Sequence, residues 1–261
     1  MSLTIRQDRL ADGPFKLIET PVHAQIATNS QKPYDQYVEG ASIMALSHNV
    51  IIRGLNSIYR QATHLKPKDH ADFIAYSKCW YEVLDAHHTS EDTSLFPQIE
   101  AKTGERGLME ANVQQHHAFL PGLQAYLEYL NSVTQTPEVF SGTRLNAIID
   151  SFAPTLLVHL SDEIPTLLSL SRFGSQFRFL DGINLEAKKS PLHLSITGGV
   201  PFFFRNLDVE YEDGLWRGWP EIPGLVWWVM QRTFVAWNWR LWRFASCDEK
   251  GRLRDLPALE D

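Results

Sequence analysis

A histidine and a glutamate interrupt the apolar stripe of a helix that the sequence predicts from Asp69 to Pro97. The stripe is built from aromatic and aliphatic residues at steps of three and four: Phe73, Tyr76, Trp80 and Leu84. Continued at this spacing, it reaches His87 and Glu91, which are four residues apart and therefore share one face. Burying an ionised carboxylate without a partner is costly, so either a bound cation or a satisfied ion pair must compensate for it.

Three other segments show the same kind of interruption. His48 stands within one apolar pattern, Asn112 and His116 within the next, and His159 and Glu163 within the last. Four helices of roughly 25 residues, joined by short links, predict an all-α protein built on an antiparallel, up-down-up-down four-helix bundle. In that topology the polar positions of all four helices fall in one layer, because alternate helices run in opposite directions.

The chain divides into three parts by its pattern. Residues 1–40 contain prolines and little periodicity and are predicted to form an N-terminal arm. Residues 41–173 are predicted to form the bundle, with its first helix starting near Gly40 and capped at Ser42. Residues 174–261 are predicted to be a tryptophan-rich, partly helical C-terminal extension that packs on the bundle.

The extension contains an amphipathic pattern from residue 225 to residue 244. The residues predicted on its inner face are Trp227, Met230, Phe234, Trp237, Leu241 and Phe244. Trp228, Trp239 and Trp242 are predicted to be exposed. Together with nearby arginines they also fit a helix that contacts a membrane surface or a partner, whereas the polar residues in the segment exclude a membrane span. Residues 248–261 are predicted to be a tail.

Composition excludes several classes of protein. The balance of 24 Lys and Arg against 31 Asp and Glu, without a long basic run, argues against nucleic acid as a partner. The N-terminus lacks the apolar core of a signal peptide, which predicts an intracellular, cytoplasmic protein. Two cysteines, Cys79 and Cys247, cannot form a disulfide framework, and Cys79 is predicted to be a small buried residue.

The interrupting residues form a set typical of a metal site. Imidazoles and carboxylates without thiolates suit iron, manganese or zinc. The number of these groups exceeds what one ion needs and matches a dinuclear centre, in which Glu91 and Glu163 bridge the ions. The candidate ligands are His48, His87, His88, Glu91, His116, His159 and Glu163. His117, beside His116, is either a further ligand or a residue outside the site, and surface positions are predicted for His23, His64, His70 and His193.

These motifs resemble the hemerythrin-like, or HHE cation-binding, domain family over about residues 40–173. The remaining third resembles the C-terminal extension of fungal members. The matching features are the lone histidine of the first helix, H-x-x-x-E in the second and fourth helices, the Leu-Phe-Pro ending of the second, and a histidine three residues before phenylalanine in the third. The resemblance implies a helical bundle that holds a pair of iron ions.

The sequence departs from the oxygen-carrying hemerythrins at two positions. They place a second histidine on the third helix where this chain has Asn112, and an aspartate where it has Ile164. The pattern is more similar to iron-sensing members, in which the residue after the second-helix histidine supplies the missing ligand. By that resemblance one iron is held by His48, His87 and His159, the other by His88 and His116, with Glu91 and Glu163 bridging.

Three functions are compatible with these expectations. The first is a non-haem diiron oxidoreductase that uses dioxygen or peroxide on a small organic substrate. The second is a protein that binds or senses dioxygen, nitric oxide or iron without catalysis. The third is a scaffold with a structural metal and a docking helix. Tyr76, Trp80 and Tyr81 are predicted either to line a small-molecule pocket or to pack in the core.

Overall fold

The computed structural model describes residues 9–28, 35–189 and 193–259. Within these ranges the chain forms helices and turns, with one isolated β-bridge between Cys247 and Leu253. The prediction of an all-α fold is confirmed. The division into an arm, a bundle and an extension stays a prediction about domains, although the described parts of all three pack on one another.

The bundle consists of four long helices: α2 (Gln36–Gln61), α3 (His70–Ser90), α5 (Glu110–Thr134) and α6 (Gly142–Ser169). Five shorter helices complete the set: α1 (Pro21–Ala27), α4 (Phe96–Thr103), α7 (Phe179–Lys189), α8 (Gly199–Arg205) and α9 (Gly224–Met230). Two π-helical turns cover Glu91–Leu95 and Gln231–Val235. A distorted helical turn covers Tyr211–Gly214 and 3-10 turns cover Pro67–Asp69, Pro137–Val139, Leu170–Phe173, Leu241–Phe244 and Pro257–Leu259.

Neighbouring bundle helices run antiparallel. Along α2 and α3, the indole of Trp80 donates to the carbonyl of Ile51, whereas His48, earlier in α2, meets His87, later in α3. The same inverse order relates α5 to α6, because His116 meets His159 while Tyr126, ten residues later, packs on Phe152. This order gives the up-down-up-down arrangement that the sequence predicts.

The first bundle helix begins earlier than predicted. Asp35 caps it, with its side chain accepting from the backbone amides of Tyr37 and Val38. Ser42 is not the cap but lies inside the helix, where its hydroxyl donates to the carbonyl of Val38 and accepts from the amide of Val22. The serine therefore fastens α1 to the bundle.

The second bundle helix does not stop at Pro97, contrary to the prediction. It widens into the π turn Glu91–Leu95 and continues as α4 to Thr103, where Gly104 ends it with φ of 76°. Pro97 lies directly after the π turn, in the first turn of α4, and the chain stays helical through it. The sequence rule placed a helix end where the structure has a change of helix type.

The described part of the C-terminal extension packs against α2 and α3. Phe202 of α8 lies against Gly54, where a Cβ atom would come within 2.5 Å of the phenyl ring. Arg53, whose side chain is almost fully buried, bonds both Asp12 of the arm and Asp208 of the extension. Residues 248–259 are not a tail, because Leu256 is buried and its amide donates to the carbonyl of Arg9.

The amphipathic pattern predicted for residues 225–244 is only partly realised. Met230 and Phe244 face inward as predicted, but Trp237 is 80% exposed and Trp242 is 1% exposed, the reverse of the prediction. The π turn Gln231–Val235 adds residues to one helical turn and so rotates the face that follows. The helix also ends before the 3-10 turn Leu241–Phe244.

Candidate metal centre

The four bundle helices bring all seven predicted ligands into one buried layer. His48 comes from α2, His87 and His88 from the end of α3, Glu91 from the π turn, His116 from α5, and His159 and Glu163 from α6. Six of the seven are buried, and the side chain of His87 is 15% exposed. His87 is therefore the member nearest to solvent.

The ligand atoms fall into two groups that share one carboxylate. His88, Glu91, His116 and His159 form the first group, and within it each residue offers a ligand atom within 4.8 Å of the others. The second group, which meets the same limit, contains His48, His87, Glu91 and Glu163. Because Glu91 belongs to both, its two oxygens can bridge two cations. The resemblance had placed His159 with His48 and His87, whereas this geometry puts it with His88 and His116.

The shared carboxylate reaches a histidine on each side. Glu91 Oε1 lies 3.1 Å from His87 Nε2, and Glu91 Oε2 lies 3.5 Å from His116 Nε2. The other carboxylate is placed between two helices, because Glu163 Oε2 lies 3.3 Å from His48 Nε2 and 3.8 Å from His159 Nε2. These contacts join the two groups into one continuous site.

Hydrogen bonds fix the tautomers of three histidines. His48 Nδ1 faces the carbonyl of Leu160 at 2.8 Å, and His116 Nδ1 faces Asp92 Oδ1 at 2.8 Å. Both oxygens accept hydrogen bonds, Asp92 as a carboxylate, so each Nδ1 carries the proton and each Nε2 keeps a lone pair. That lone pair is the one directed into the site.

The third tautomer is set by a chain of two hydrogen bonds. Gln115 Nε2 donates to Asp162 Oδ2 at 3.1 Å, which turns Gln115 Oε1 toward His159 Nδ1 at 3.2 Å. His159 Nδ1 is therefore the donor, and its Nε2 lone pair faces the Nε2 of His116 only 3.0 Å away. Two lone pairs at this distance repel each other, and a cation between them converts the repulsion into attraction.

A π turn lies at the site, shortly after His87 and His88 in the chain. It begins at Glu91, whose amide donates to the carbonyls of both His87 and His88. The two adjacent histidines both reach the layer, since the His88 ring centroid lies 4.4 Å from that of His116 while His87 contacts Glu91. Single π turns inside α-helices occur often at functional sites.

A buried glutamate of α7 holds this turn from outside. Glu186 accepts hydrogen bonds from Ser90 Oγ at 2.7 Å, Ser94 Oγ at 2.6 Å and Gln98 Nε2 at 3.2 Å. The three donors lie before, within and after the π turn. Glu186 therefore ties together the backbone that carries His87, His88 and Glu91.

Burial controls the protonation of the ligands. Desolvation, followed by neighbouring imidazoles, lowers the pKa of His87, His88 and His159 well below the usual range. Desolvation also lowers the pKa of His116, although Asp92 opposes the shift. The pKa of Glu91 is raised well above its usual value by burial and then by Glu163. These four imidazoles are thus neutral and able to act as ligands at neutral pH.

The polar atoms left without partners fit a cation. His88 Nε2 and both oxygens of Glu91 and of Glu163 are buried and lack a hydrogen-bond partner among the described residues. Buried carboxylate and imidazole atoms in this condition are costly, and divalent cations are bound by these same groups. The residues present therefore fit bound metal cations such as iron, manganese or zinc.

Comparison with known proteins agrees with this geometry. The model of the hemerythrin HHE cation-binding domain matches residues 39–168. The chain is also 34% identical over 257 residues to "Dimeric xanthone biosynthesis cluster protein R11" of Cryptosporiopsis sp. (strain 8999), an alignment covering 95% of this chain and 94% of that protein. The chain belongs to the hemerythrin HHE family. No solved structure matches it significantly.

Three polar residues outside the ligand set differ in their surroundings. Asn112 is buried one turn before His116, and its Oδ1 has no hydrogen-bond partner among the described residues. His117 is exposed and outside both ligand groups. His70, predicted to lie at the surface, is instead buried, because its Nδ1 bonds the carbonyl of Pro137.

Two aromatic residues near the site belong to the core. Tyr76 and Trp80 are fully buried, and their polar atoms are satisfied by Asn206 and by the carbonyl of Ile51. Tyr81 is half-buried and packs against the same core. Sequence reasoning missed Asp92 and Gln115, which bond the imidazoles of His116 and His159 and lie next to predicted ligands in the chain. It also missed Glu186, which bonds side chains around the π turn and has no local sequence signal.

Proposed function

We propose that this hemerythrin-like protein is a non-haem diiron oxidoreductase that uses dioxygen or peroxide to oxidise a small organic molecule. The observation that carries the proposal is the pair of ligand groups sharing Glu91. A shared carboxylate is what a dinuclear centre requires, and a single structural ion does not need two complete groups.

The choice of iron rests on the chemistry of the donors and on the relative. Imidazole and carboxylate ligands without thiolate suit iron, manganese and zinc, but zinc has no redox chemistry. The relative's name places that protein in a biosynthesis cluster for a dimeric xanthone. A role in such a cluster supports a redox step on a small organic substrate here. When bound, a pair of iron ions supplies redox chemistry with dioxygen or peroxide.

The protein's own residues bind, orient and shield the ions. Asp92, Gln115 and the carbonyl of Leu160 hold three imidazoles in the tautomer that directs Nε2 inward. His87, the most exposed ligand, marks the side on which a reactant has the shortest path to the site. Asn112 replaces an imidazole that oxygen-carrying relatives have, which leaves fewer strong donors and favours open coordination positions.

A second function is favoured by the burial of the site. With six of the seven ligands buried, the site suits a small ligand such as dioxygen or nitric oxide better than a bulky one. A protein that binds or senses such a molecule, or iron itself, without catalysis has the same ligand geometry. The two functions differ in the fate of bound oxygen, which an oxidoreductase consumes and a binding protein releases unchanged.

Oxygen exposure of the reduced, iron-loaded protein separates the two functions. Anaerobic protein is loaded with ferrous iron, mixed with oxygen, and followed by absorption spectroscopy with and without a panel of phenolic compounds. Irreversible oxidation that a phenol accelerates, with an oxidised organic product, is the expected result. A spectrum that reverses when oxygen is removed and ignores every phenol supports binding and overturns the oxidoreductase proposal. Iron analysis of the same sample should give two ions per chain.

A further inference from the structure

The segment of residues 224–244, here called the tryptophan segment, presents an apolar face to solvent. Among the described residues, much of the exposed large apolar surface of the protein is concentrated in it. The members of this exposed face are Leu225, Val226, Trp228, Val229, Trp237 and Trp239. Trp237 and Trp239 are 80% and 64% exposed. Exposed apolar side chains concentrated in one short segment mark an interaction site rather than ordinary surface.

The opposite side of the tryptophan segment is firmly packed. Met230, Val235 and Trp242 are buried, and the Trp242 indole donates to the carbonyl of Val235 at 2.9 Å. Asn238 Nδ2 donates to the carbonyl of Thr197 at 2.8 Å. Because the inner side is already occupied by the body of the protein, the outer side stays exposed unless something else covers it.

The charge of the tryptophan segment is opposite to that of the whole protein. It contains three arginines and no acidic residue, whereas the chain carries a net charge of -7. Arg243 is neutralised by Asp69 and Asp72. Arg232 and Arg240 are exposed, and the guanidinium of Arg240 lies over the ring of Trp239, 5.7 Å from its centroid. The exposed face is therefore apolar and cationic at once.

We infer that the exposed face of the tryptophan segment docks on the surface of an anionic lipid bilayer. Tryptophan rings favour the boundary between headgroups and acyl chains, and arginines beside them attract anionic headgroups. A second copy of the chain fits less well, because a two-fold contact through this face sets arginine near arginine. Within the described residues, no helix is both long and apolar enough to cross a membrane. The contact therefore lies along the bilayer surface.

Vesicle sedimentation with the full chain tests this inference. We expect binding to phosphatidylcholine vesicles that contain phosphatidylserine, little binding to pure phosphatidylcholine, and weakening as salt is added. The variant Trp228→Ala/Trp237→Ala/Trp239→Ala should lose binding, and Trp237→Ala alone should weaken it. The matched control Val139→Ala/Val158→Ala removes two other exposed apolar side chains and should bind as the wild type does.

The arginines are tested separately. Arg232→Gln/Arg240→Gln should lower the partition coefficient for anionic vesicles by about 30-fold, at about fivefold for each cation near the surface. Arg178→Gln/Arg217→Gln changes the net charge by the same amount at exposed positions outside the tryptophan segment and should have a much smaller effect.

Three outcomes overturn the inference. Equal binding to neutral and anionic vesicles shows that the arginines do not direct the protein to anionic lipid. An equal loss of vesicle binding in the control variants shows that the tryptophan segment is not the contact surface. A dimer that the tryptophan substitutions dissociate, with no binding to either vesicle, shows that a second copy is the partner. Circular dichroism of each variant, expected to match the wild type because the substituted side chains are exposed, confirms that a loss of binding is not a loss of fold.

Discussion

Asp92 Oδ1 lies 2.8 Å from His116 Nδ1, so a carboxylate outside the ligand set decides which nitrogen of His116 faces the site. Gln115 performs the same task for His159 across the helix pair α5 and α6. Neither residue contacts an ion by this geometry. Groups that orient a ligand in this way contribute to metal affinity almost as strongly as some ligands do.

Removing these orienting groups should weaken metal binding. Asp92→Ala and Gln115→Leu each free one imidazole to adopt the wrong tautomer, and each should lower iron affinity by about 10- to 100-fold. Competition with a chromogenic chelator measures the change. Glu128→Ala, an exposed acidic residue of α5, is the matched control and should leave affinity unchanged. An unchanged affinity for both orienting variants would contradict the tautomer argument.

The shared carboxylate should control the number of ions bound. Glu91→Ala removes a ligand from both groups and is expected to abolish dinuclear binding, leaving at most one metal ion per chain. Glu163→Ala removes a ligand from one group only and should leave the group of His88, His116 and His159 with its ion. Metal analysis after gel filtration gives both ratios. Retention of two ions by Glu91→Ala refutes the bridging role.

Much of the fold could be predicted because the bundle obeys local rules. Apolar periodicity identified all four long helices, and the same periodicity exposed the polar interruptions at His48, His87, His116 and His159. Each interruption is weak by itself, but a bundle forces the four helices to share one interior. The seven candidate ligands meet there for that reason.

What the sequence could not predict depends on contacts distant along the chain. The π turn after Ser90 is held by Glu186, almost a hundred residues later, and no local pattern announces such a contact. The second π turn likewise rotates Trp237 outward. The spacing of three and four residues used to predict its inner face holds only for a regular α-helix. Leu256 is buried by its contact with the N-terminal arm, which composition alone does not reveal.

Both thiols should be inert in the folded protein. Burial raises the pKa of Cys79 and of Cys247 to about 12, so at pH 8 each remains protonated and also shielded. A thiol reagent such as dithionitrobenzoate should label neither cysteine in the native state and both in guanidinium. Rapid labelling of one cysteine before unfolding would show that its segment opens. Metal loading should not alter the result, because neither thiol belongs to a ligand group.

The contact between Glu186 and the π turn should support the site. Glu186→Ala removes the acceptor for Ser90, Ser94 and Gln98 together, which frees the turn that carries Glu91. We expect weaker iron binding and faster hydrogen exchange of the amides from residue 91 to residue 95. Ser171→Ala, an exposed change outside this contact, should alter neither measurement. If exchange rises while iron affinity is unchanged, the turn does not position the ligands.

The close approach of Phe202 to Gly54 should make any side chain at that glycine destabilising. A Cβ at Gly54 would lie 2.5 Å from Phe202 Cζ and 3.0 Å from Trp80 Cδ1, so Gly54→Ala must displace buried rings. Overpacking of this kind costs about 1 to 3 kcal/mol. Gly182→Ala in α7, where a Cβ meets nothing within 4 Å, should instead stabilise the protein by about 0.5 to 1 kcal/mol through helix propensity.

Denaturant unfolding of the two glycine variants gives these changes in the free energy of unfolding. Combining Gly54→Ala with Phe202→Leu measures the interaction energy between the two positions. Shortening the ring removes the clash, so Gly54→Ala should cost less in the Phe202→Leu background than in the wild type. Equal costs in the two backgrounds would place the strain at Trp80 instead. Because Phe202 belongs to α8 and Gly54 to α2, a measured coupling also shows that this contact between the extension and the bundle contributes to stability.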